Sequence, residues 1–142
     1  MTIQTIKVGT PAYEMMIDLR MEVLLNPIGI PRTYINPEKE QQDILVAAFD
    51  GEQIMGCCIL TPIDDQAIQL RQMAVKQTSQ GTGIGAAIVA YAESTAKEKG
   101  YKTLFMHARD AVIPFYEKQG YHIEGQGFTE VNIPHHKMKK EL

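Results

Sequence analysis

Two parts of this chain hold residues whose types and spacing suit chemistry. The first is Gln80-Gly81-Thr82-Gly83-Ile84-Gly85, where three glycines fall within five residues, just before a run with helical periodicity. Glycines let the main chain turn tightly and leave no side chain to block a ligand. A helix start exposes unpaired N–H groups and the positive end of the macrodipole, so such a loop suits an anion, above all a phosphate. Taken alone, the loop fits a plain strand-to-helix turn equally well. The second part is Phe115-Tyr116, in a short helical stretch that ends at Gly120. Neighbours on a helix lie about 100° apart, so the two rings cannot share the centre of one buried stripe. Phe115 is the better core residue, which leaves Tyr116 to face a cleft. A tyrosine with an ordinary pKa near about 10 stays protonated at neutral pH and can donate a proton. On these residues alone, Tyr116 reads as an amphipathic tyrosine at a helix edge.

Two familiar phosphate loops do not match. A Walker A loop needs Gly-Lys-Ser/Thr after its second glycine, but Gly85 is followed by Ala86-Ala87. The dinucleotide pattern G-x-G-x-x-G would place Ile88 where close helix–strand packing wants glycine, and Lys76-Gln77-Thr78-Ser79 separates the loop from the preceding apolar run.

The elements that must position these residues are legible in outline. Thr2–Val8 reads as a first strand and Tyr13–Leu25 as a helix, with apolar Met15, Met16, Leu19, Val23 and Leu24 at helical period. Residues 26–37, with Pro27, Gly29, Pro31 and Pro37, form a long loop of the kind that often serves function. Ile44–Phe49 and Gln53–Leu60 flank Asp50-Gly51, a strong hairpin signal, and a turn at Pro62–Asp65 leads to Ala67–Val75. The helix after the glycine loop carries Ile84, Ile88, Tyr91 and Thr95 on one stripe and stops at Gly100. Tyr101–His107 is a further strand, and Gly125–Gly127 divides the last region into two strands. The order predicts a single mixed-sheet α/β domain over residues 1–142. An antiparallel N-terminal meander is followed by a β-α-β-α-β half, in which the crossing helix allows parallel pairing.

Together these segments resemble the GNAT superfamily of N-acetyltransferases. Its signature is Gln/Arg-x-x-Gly-x-Gly/Ala after a strand, then a helix, a strand, and a helix with a Tyr shortly before a Gly-aromatic pair. Gln80, Gly83 and Gly85 fill the first part; Tyr116, Gly120 and Tyr121 fill the second. Glu130-Val131-Asn132-Ile133-Pro134-His135 is similar to the acidic-x-x-Ile-Pro-His ending of one bacterial subgroup. The resemblance runs clearly from Ile68 to Met138 and more loosely before that.

The resemblance implies acetyl-CoA as acyl donor. It places the pyrophosphate on the loop Gln80, Gly81, Thr82, Gly83, Ile84, Gly85 and Ala86, the pantetheine arm and thioester oxygen on freed main chain of Met73, Ala74 and Val75 beside a strand bulge, and Phe115 among the cofactor contacts. It makes Tyr116 the acid that protonates the leaving thiolate. The base that takes the amine proton is Glu130 or His135 on the subgroup-like segment, with Asp110 a weaker candidate and a solvated strand-edge charge the alternative for each. Arg109 stands where many relatives have Asn, which removes the usual side-chain contact to the cofactor arm. Arg20 and Arg32 are candidates to pair with an anionic part of the acceptor, with surface arginine the default for both. The acceptor is a small-molecule or peptide amine, and a homodimer is the implied assembly. A non-catalytic acyl-CoA or nucleotide sensor is the alternative reading.

Composition sets limits that agree. At 142 residues and 44% apolar, the chain suffices for one core and is too short for two ordinary domains. A net charge of −3 argues against a nucleic-acid partner. No signal peptide and no membrane-length apolar run stand out, which predicts a cytoplasmic protein. Cys57 and Cys58 are neighbours, so on a strand they point to opposite faces, which disfavours a disulfide between them, and the histidines lack companions at metal spacing. No metal is expected.

Overall fold

The turn residues divide the chain much as their chemistry dictates. The computed structural model describes every residue, Met1–Leu142. Strand β1 (Thr2–Ile6) leads to helix α1 (Pro11–Arg20), whose start is capped by the Thr10 hydroxyl accepting from the Tyr13 N–H at 3.2 Å. The helix continues through one π turn (Met21–Leu25) before the proline-rich segment, which folds as short turns and ends in the one-turn helix α2 (Pro37–Glu40). Strands β2 (Ile44–Asp50), β3 (Gln53–Pro62) and β4 (Ala67–Val75) form the expected meander around Gly51 and the Asp64 turn. Helix α3 (Ile84–Glu98) then crosses to β5 (Thr103–Arg109), and α4 (Ile113–Lys118) leads to the hairpin of β6 (His122–Glu130) and β7 (Ile133–Glu141). The seven strands lie in the order β1-β2-β3-β4-β5-β7-β6, and only β4 and β5 run parallel. No helix is long and apolar enough to cross a membrane.

Strand alternation sends side chains of β2 and β3 into two cores. Val46, Ala48, Cys58 and Leu60 meet α3, while Leu45, Ala47, Cys57 and Ile59 meet α1. The two cysteines are therefore free, buried and on opposite faces of the sheet. Helix α3 lies close to the sheet because Gly56 has no side chain. A Cβ there would sit 2.6 Å from Ile88 Cδ1 and 3.2 Å from the Ala74 carbonyl.

Two local expectations are corrected. The buried stripe of α3 is Ile88, Val89, Ala92 and Ala96, with Ile84, Tyr91 and Thr95 on its flank, because small alanines rather than larger side chains permit this close approach. Gly125–Gly127 does not end a strand. It forms a bulge inside β6, where three residues oppose His136 alone, and a Cβ on Gly127 would meet the His136 ring at 2.9 Å. The chain reverses instead at Val131-Asn132, both with positive φ (48° and 62°), the geometry of a tight hairpin turn. A β-branched residue there is a poor turn signal.

Beneath β4 lies a buried polar group. Arg20, only 1% exposed, makes two bonds to Glu40 at 2.8 and 2.7 Å, and Tyr13 donates to the same carboxylate at 2.7 Å. Burial alone would raise the Glu40 pKa, but the Arg20 and Tyr13 hydrogen bonds and the Arg20 charge outweigh it and hold the carboxyl below its ordinary value. Removing one partner leaves a buried charge alone. Arg20→Ala should therefore cost about 3–5 kcal/mol in urea unfolding. Because the folded-state pKa of Glu40 is depressed, its stabilisation is present above the unfolded value of about 4.3 and is lost as pH falls through the folded one. The acid-side fall in unfolding midpoint should be shallower in Glu40→Gln, and an equally steep fall would count against this linkage.

Candidate active site

A break in the sheet makes the site. β4 and β5 pair only at Ala67–Thr103, Ile68–Leu104 and Gln69–Phe105, and then diverge. Just beyond, Arg71 pairs with Ile59 and Ala74 with Cys57, so Gln72 and Met73 together oppose Cys58. This is a β-bulge, and Gln72 holds the left-handed φ of 53° that it requires. The bulge is tied from behind: Arg20 Nε donates to the Gln72 side-chain oxygen at 3.4 Å, and the Cys57 thiol approaches the Gln72 carbonyl at 3.8 Å. The opening between the strands is a cleft of about 730 Å³, within the range of small-molecule sites.

The glycine loop closes one end of this cleft. Gly81 and Gly83 have φ of 80° and 89°, and Gly83 begins α3 with no side-chain cap. The N–H groups of Ile84, Gly85 and Ala86 therefore lack internal partners. The loop is braced by Gln80, whose side-chain amide donates to the Val75 carbonyl at 3.1 Å, and by the Thr82 hydroxyl, which donates to the Ser79 carbonyl. Of the expected loop and strand residues, Met73, Val75, Gln80, Gly81, Gly83, Gly85, Ala86 and Phe115 line the cleft. Ala74 is buried behind it, and the side chains of Thr82 and Ile84 lie outside it.

Phe115 and Tyr116 exchange the places expected of them. Tyr116 is the core residue, 4% exposed, with its ring edge-on to Phe115 and Tyr121, while Phe115 is half-buried beside Gly85. The helix is only two turns long, so the sheet beneath it decides which ring goes inward. The Tyr116 hydroxyl has no protein partner, yet it is not fully occluded, and the residue lines the cleft. Burial, with a smaller contribution from nearby Cys58, pushes its pKa well up, so the hydroxyl keeps its proton at neutral pH.

Glu130 and His135 come together at the cleft, joined by His107, which the sequence did not single out. His135 is 4% exposed, and its Nδ1 lies 2.7 Å from the Ile133 carbonyl. A carbonyl only accepts, so Nδ1 carries the hydrogen and Nε2 of the neutral ring is left to accept a proton. That Nε2 lies 3.7 Å from Glu130 Oε2, and Glu130 Oε1 lies 3.2 Å from His107 Nδ1. Phe128 stacks on His135 at 5.9 Å and meets His107 edge-on at 5.0 Å. Asp110 faces away from this group and bonds His136 at 2.6 Å.

The structure does not bring Arg20 or Arg32 to the cleft. Arg20 is consumed by the buried pair with Glu40, and Arg32 is an exposed residue bound to Asp18 at 2.8 Å and Glu14 at 3.1 Å. The cationic side chains that do line it are Arg71 and Arg109. Their signal is their place just past the paired residues of β4 and at the end of β5, visible only once β4 and β5 are known to part.

Comparisons with known proteins agree with this fold. The model of the acetyltransferase (GNAT) domain matches residues 29–142. The chain is 26% identical over 124 residues to the uncharacterized N-acetyltransferase YjcF of Bacillus subtilis, covering 87% of this chain and 88% of that one. It spans about half the length, 43% and 50%, of two further relatives. Among solved structures, an aminoglycoside 6'-N-acetyltransferase complexed with coenzyme A superposes with a TM-score of 0.86 at 20% identity, covering 99% of this chain and 97% of that one. A GNAT family acetyltransferase from Elizabethkingia anophelis with acetyl-CoA bound gives 0.78 at 23% identity, covering 99% and 97%.

Tyr116 and Tyr121, whose rings meet edge-on, should respond differently to loss of their hydroxyls. Tyr121 donates to Glu93 at 2.8 Å, so Tyr121→Phe should lose about 1.5–3 kcal/mol of unfolding free energy. Tyr116→Phe removes no protein hydrogen bond and should unfold at nearly the wild-type urea midpoint. A large loss there would mean that the hydroxyl has a structural partner.

Proposed function

The chain belongs to the GNAT acetyltransferase family, and on that premise we propose that it moves the acetyl group of acetyl-CoA to a primary amine of a small molecule or peptide, by direct attack of the amine on the thioester. One observation carries this reading: the unpaired N–H groups at the start of α3 and the free edge of the β4 bulge open onto the same cleft as the Tyr116 hydroxyl.

The residues present fit such a donor. The N–H groups from Gly81 to Ala86 would hold its pyrophosphate, where backbone donors and the helix dipole favour negative charge. The edge of Met73–Val75, unpaired toward β5, would take the amides of the pantetheine arm as an added strand takes a partner. Main-chain N–H groups at the bulge would also bind the thioester oxygen as charge develops on it, a large term in acyl transfer. Acetyl-CoA supplies the activated acetyl group.

The side chains then divide the proton traffic. His135 Nε2, with Glu130 beside it, takes the proton the amine nitrogen loses as its bond to the acetyl carbon forms. Tyr116 gives its proton to the sulfur as the carbon–sulfur bond breaks, and recovers one from solvent through the cleft. The products are the N-acetylated amine and the free thiol, so proton and charge balance.

Thiol release from acetyl-CoA across a panel of primary amines tests the activity. Acetyl-CoA at about one hundred times its Kd should stabilise the fold by about 2.7 kcal/mol and raise the Tm. No shift at saturation would contradict the cofactor assignment. Gly83→Val places a β-branched residue at a φ of 89° and should weaken acetyl-CoA binding in calorimetry while the protein stays folded. Tyr116→Phe should lower kcat by about 10²–10⁴-fold with little change in KM, as removal of a general acid does. A chemical step at wild-type speed in single turnover would reduce Tyr116 to a packing residue.

A further inference from the structure

The two faces of the cleft carry different charge. Leu104, Met106 and Ala108 of β5 turn to the α3 core, so Phe105, His107 and Arg109 turn to the face that α1 covers. Arg109 accordingly reaches the end of the first helix, where it donates to the Leu24 carbonyl at 3.4 Å. Arg71 lies across from Ile59, a residue of the α1-side core, and donates to the Thr61 hydroxyl at 3.3 Å. Both residues line the cleft, and neither guanidinium forms an ion pair within 4.0 Å. Arg71 feels Glu40 and Asp43 only at longer range.

Against these two cations, the lining offers a single carboxylate, Glu130, which is already bonded to His107 and lies beside His135. The glycine loop begins α3 and so belongs to the other side of the sheet, where backbone N–H groups already suit a phosphate. Arg71 and Arg109 therefore lie on the face opposite the loop that suits the donor's pyrophosphate, and on the same face as His107 and His135. A polycationic amine would meet repulsion from both. An amine that also carries an acid group would place its nitrogen toward Glu130 and His135 and its acid toward the arginines.

Resting on the acetyltransferase reading above, we infer that the acceptor is an amine bearing an anionic group, a carboxylate or a phosphate, which Arg109 and Arg71 bind through charge-assisted hydrogen bonds. Both side chains are half-buried, which limits competition from water and salt. Guanidinium presents paired donors in a plane that matches either oxyanion. The inference fixes a substrate class and leaves the body of the molecule to the apolar residues at the rim.

Matched pairs test it by binding, without requiring turnover. Calorimetry in the presence of CoA would compare phenylalanine with phenethylamine, and glucosamine 6-phosphate with glucosamine, with spermidine as the polycation. In at least one pair the acid-bearing member should bind about tenfold or more tighter, the effect of one hydrogen bond to a charged group. The pair that discriminates tells carboxylate from phosphate. That ratio should collapse toward one in Arg109→Gln and in Arg71→Gln, and persist in Arg32→Gln, which lies outside the cleft. Equal binding within both pairs, tighter binding of spermidine, or a ratio that survives both cleft substitutions would overturn the inference. Weakened CoA binding with an unchanged ratio would also overturn it, by reassigning the arginines to the donor. Discrimination in binding with no thiol release from any amine would instead overturn the acetyltransferase reading and leave the anion site standing.

Discussion

A parallel strand pair that closes for three residues and then opens is the constraint on which the rest depends. Parallel strands are held only by their slanted ladder, so β4 and β5 would normally pair along their length. Here the two-for-one bulge at Gln72-Met73 turns β4 away, and Gln72 accepts a left-handed φ to do so. That conformation is uncommon for a residue with a side chain and persists only where surroundings enforce it. The surroundings are the Arg20–Glu40–Tyr13 group, which is fully satisfied and reaches Gln72 through Arg20 Nε. A buried ion pair is a weak source of net stability. Its placement behind the bulge gives it a second use, in fixing where the sheet opens.

Opening the sheet joins two faces that are otherwise separate. The α3 side offers main chain: a glycine loop, a helix start with unpaired N–H groups, and a free strand edge. The α1 side carries side chains instead: Glu130 lies against His107 and His135, and Arg71 and Arg109 line the same cleft without an ion-pair partner. The close approach of α3 over Gly56, where Ile88 packs against the bare backbone, brings the first set near the second. Tyr116 stands between them, its ring in the core and its hydroxyl at the cleft, which is what a proton donor to a leaving group needs.

Much of this was legible in the sequence because it is encoded locally. Asp50-Gly51 marks a hairpin, the prolines of residues 26–37 stop the first helix, and the glycine loop announces its own helix start. What escaped is set by partners distant in sequence. Arg20 reads as a surface cation until Glu40, twenty residues on, is folded against it. Phe115 and Tyr116 lie about 100° apart on a helix too short to mark its buried face, and only the core beneath it decides which ring goes inward. Val131 at a hairpin turn breaks the usual residue preference, whereas Gly125–Gly127, a stronger turn signal by composition, serves a bulge. His107 carries no signal until Glu130 and Phe128 surround it.

The most direct test of the cleft as the donor site is a titration of isotope-labelled protein with CoA, followed through its backbone amide resonances. The amides of Met73 to Val75 and of Gly81 to Ala86 should move most, two segments far apart in sequence that meet only across the parted strands. Shifts confined to one segment would leave the other without a role. Shifts centred elsewhere, such as on the exposed edge of β6, or none at saturating CoA, would contradict a donor held where β4 leaves β5.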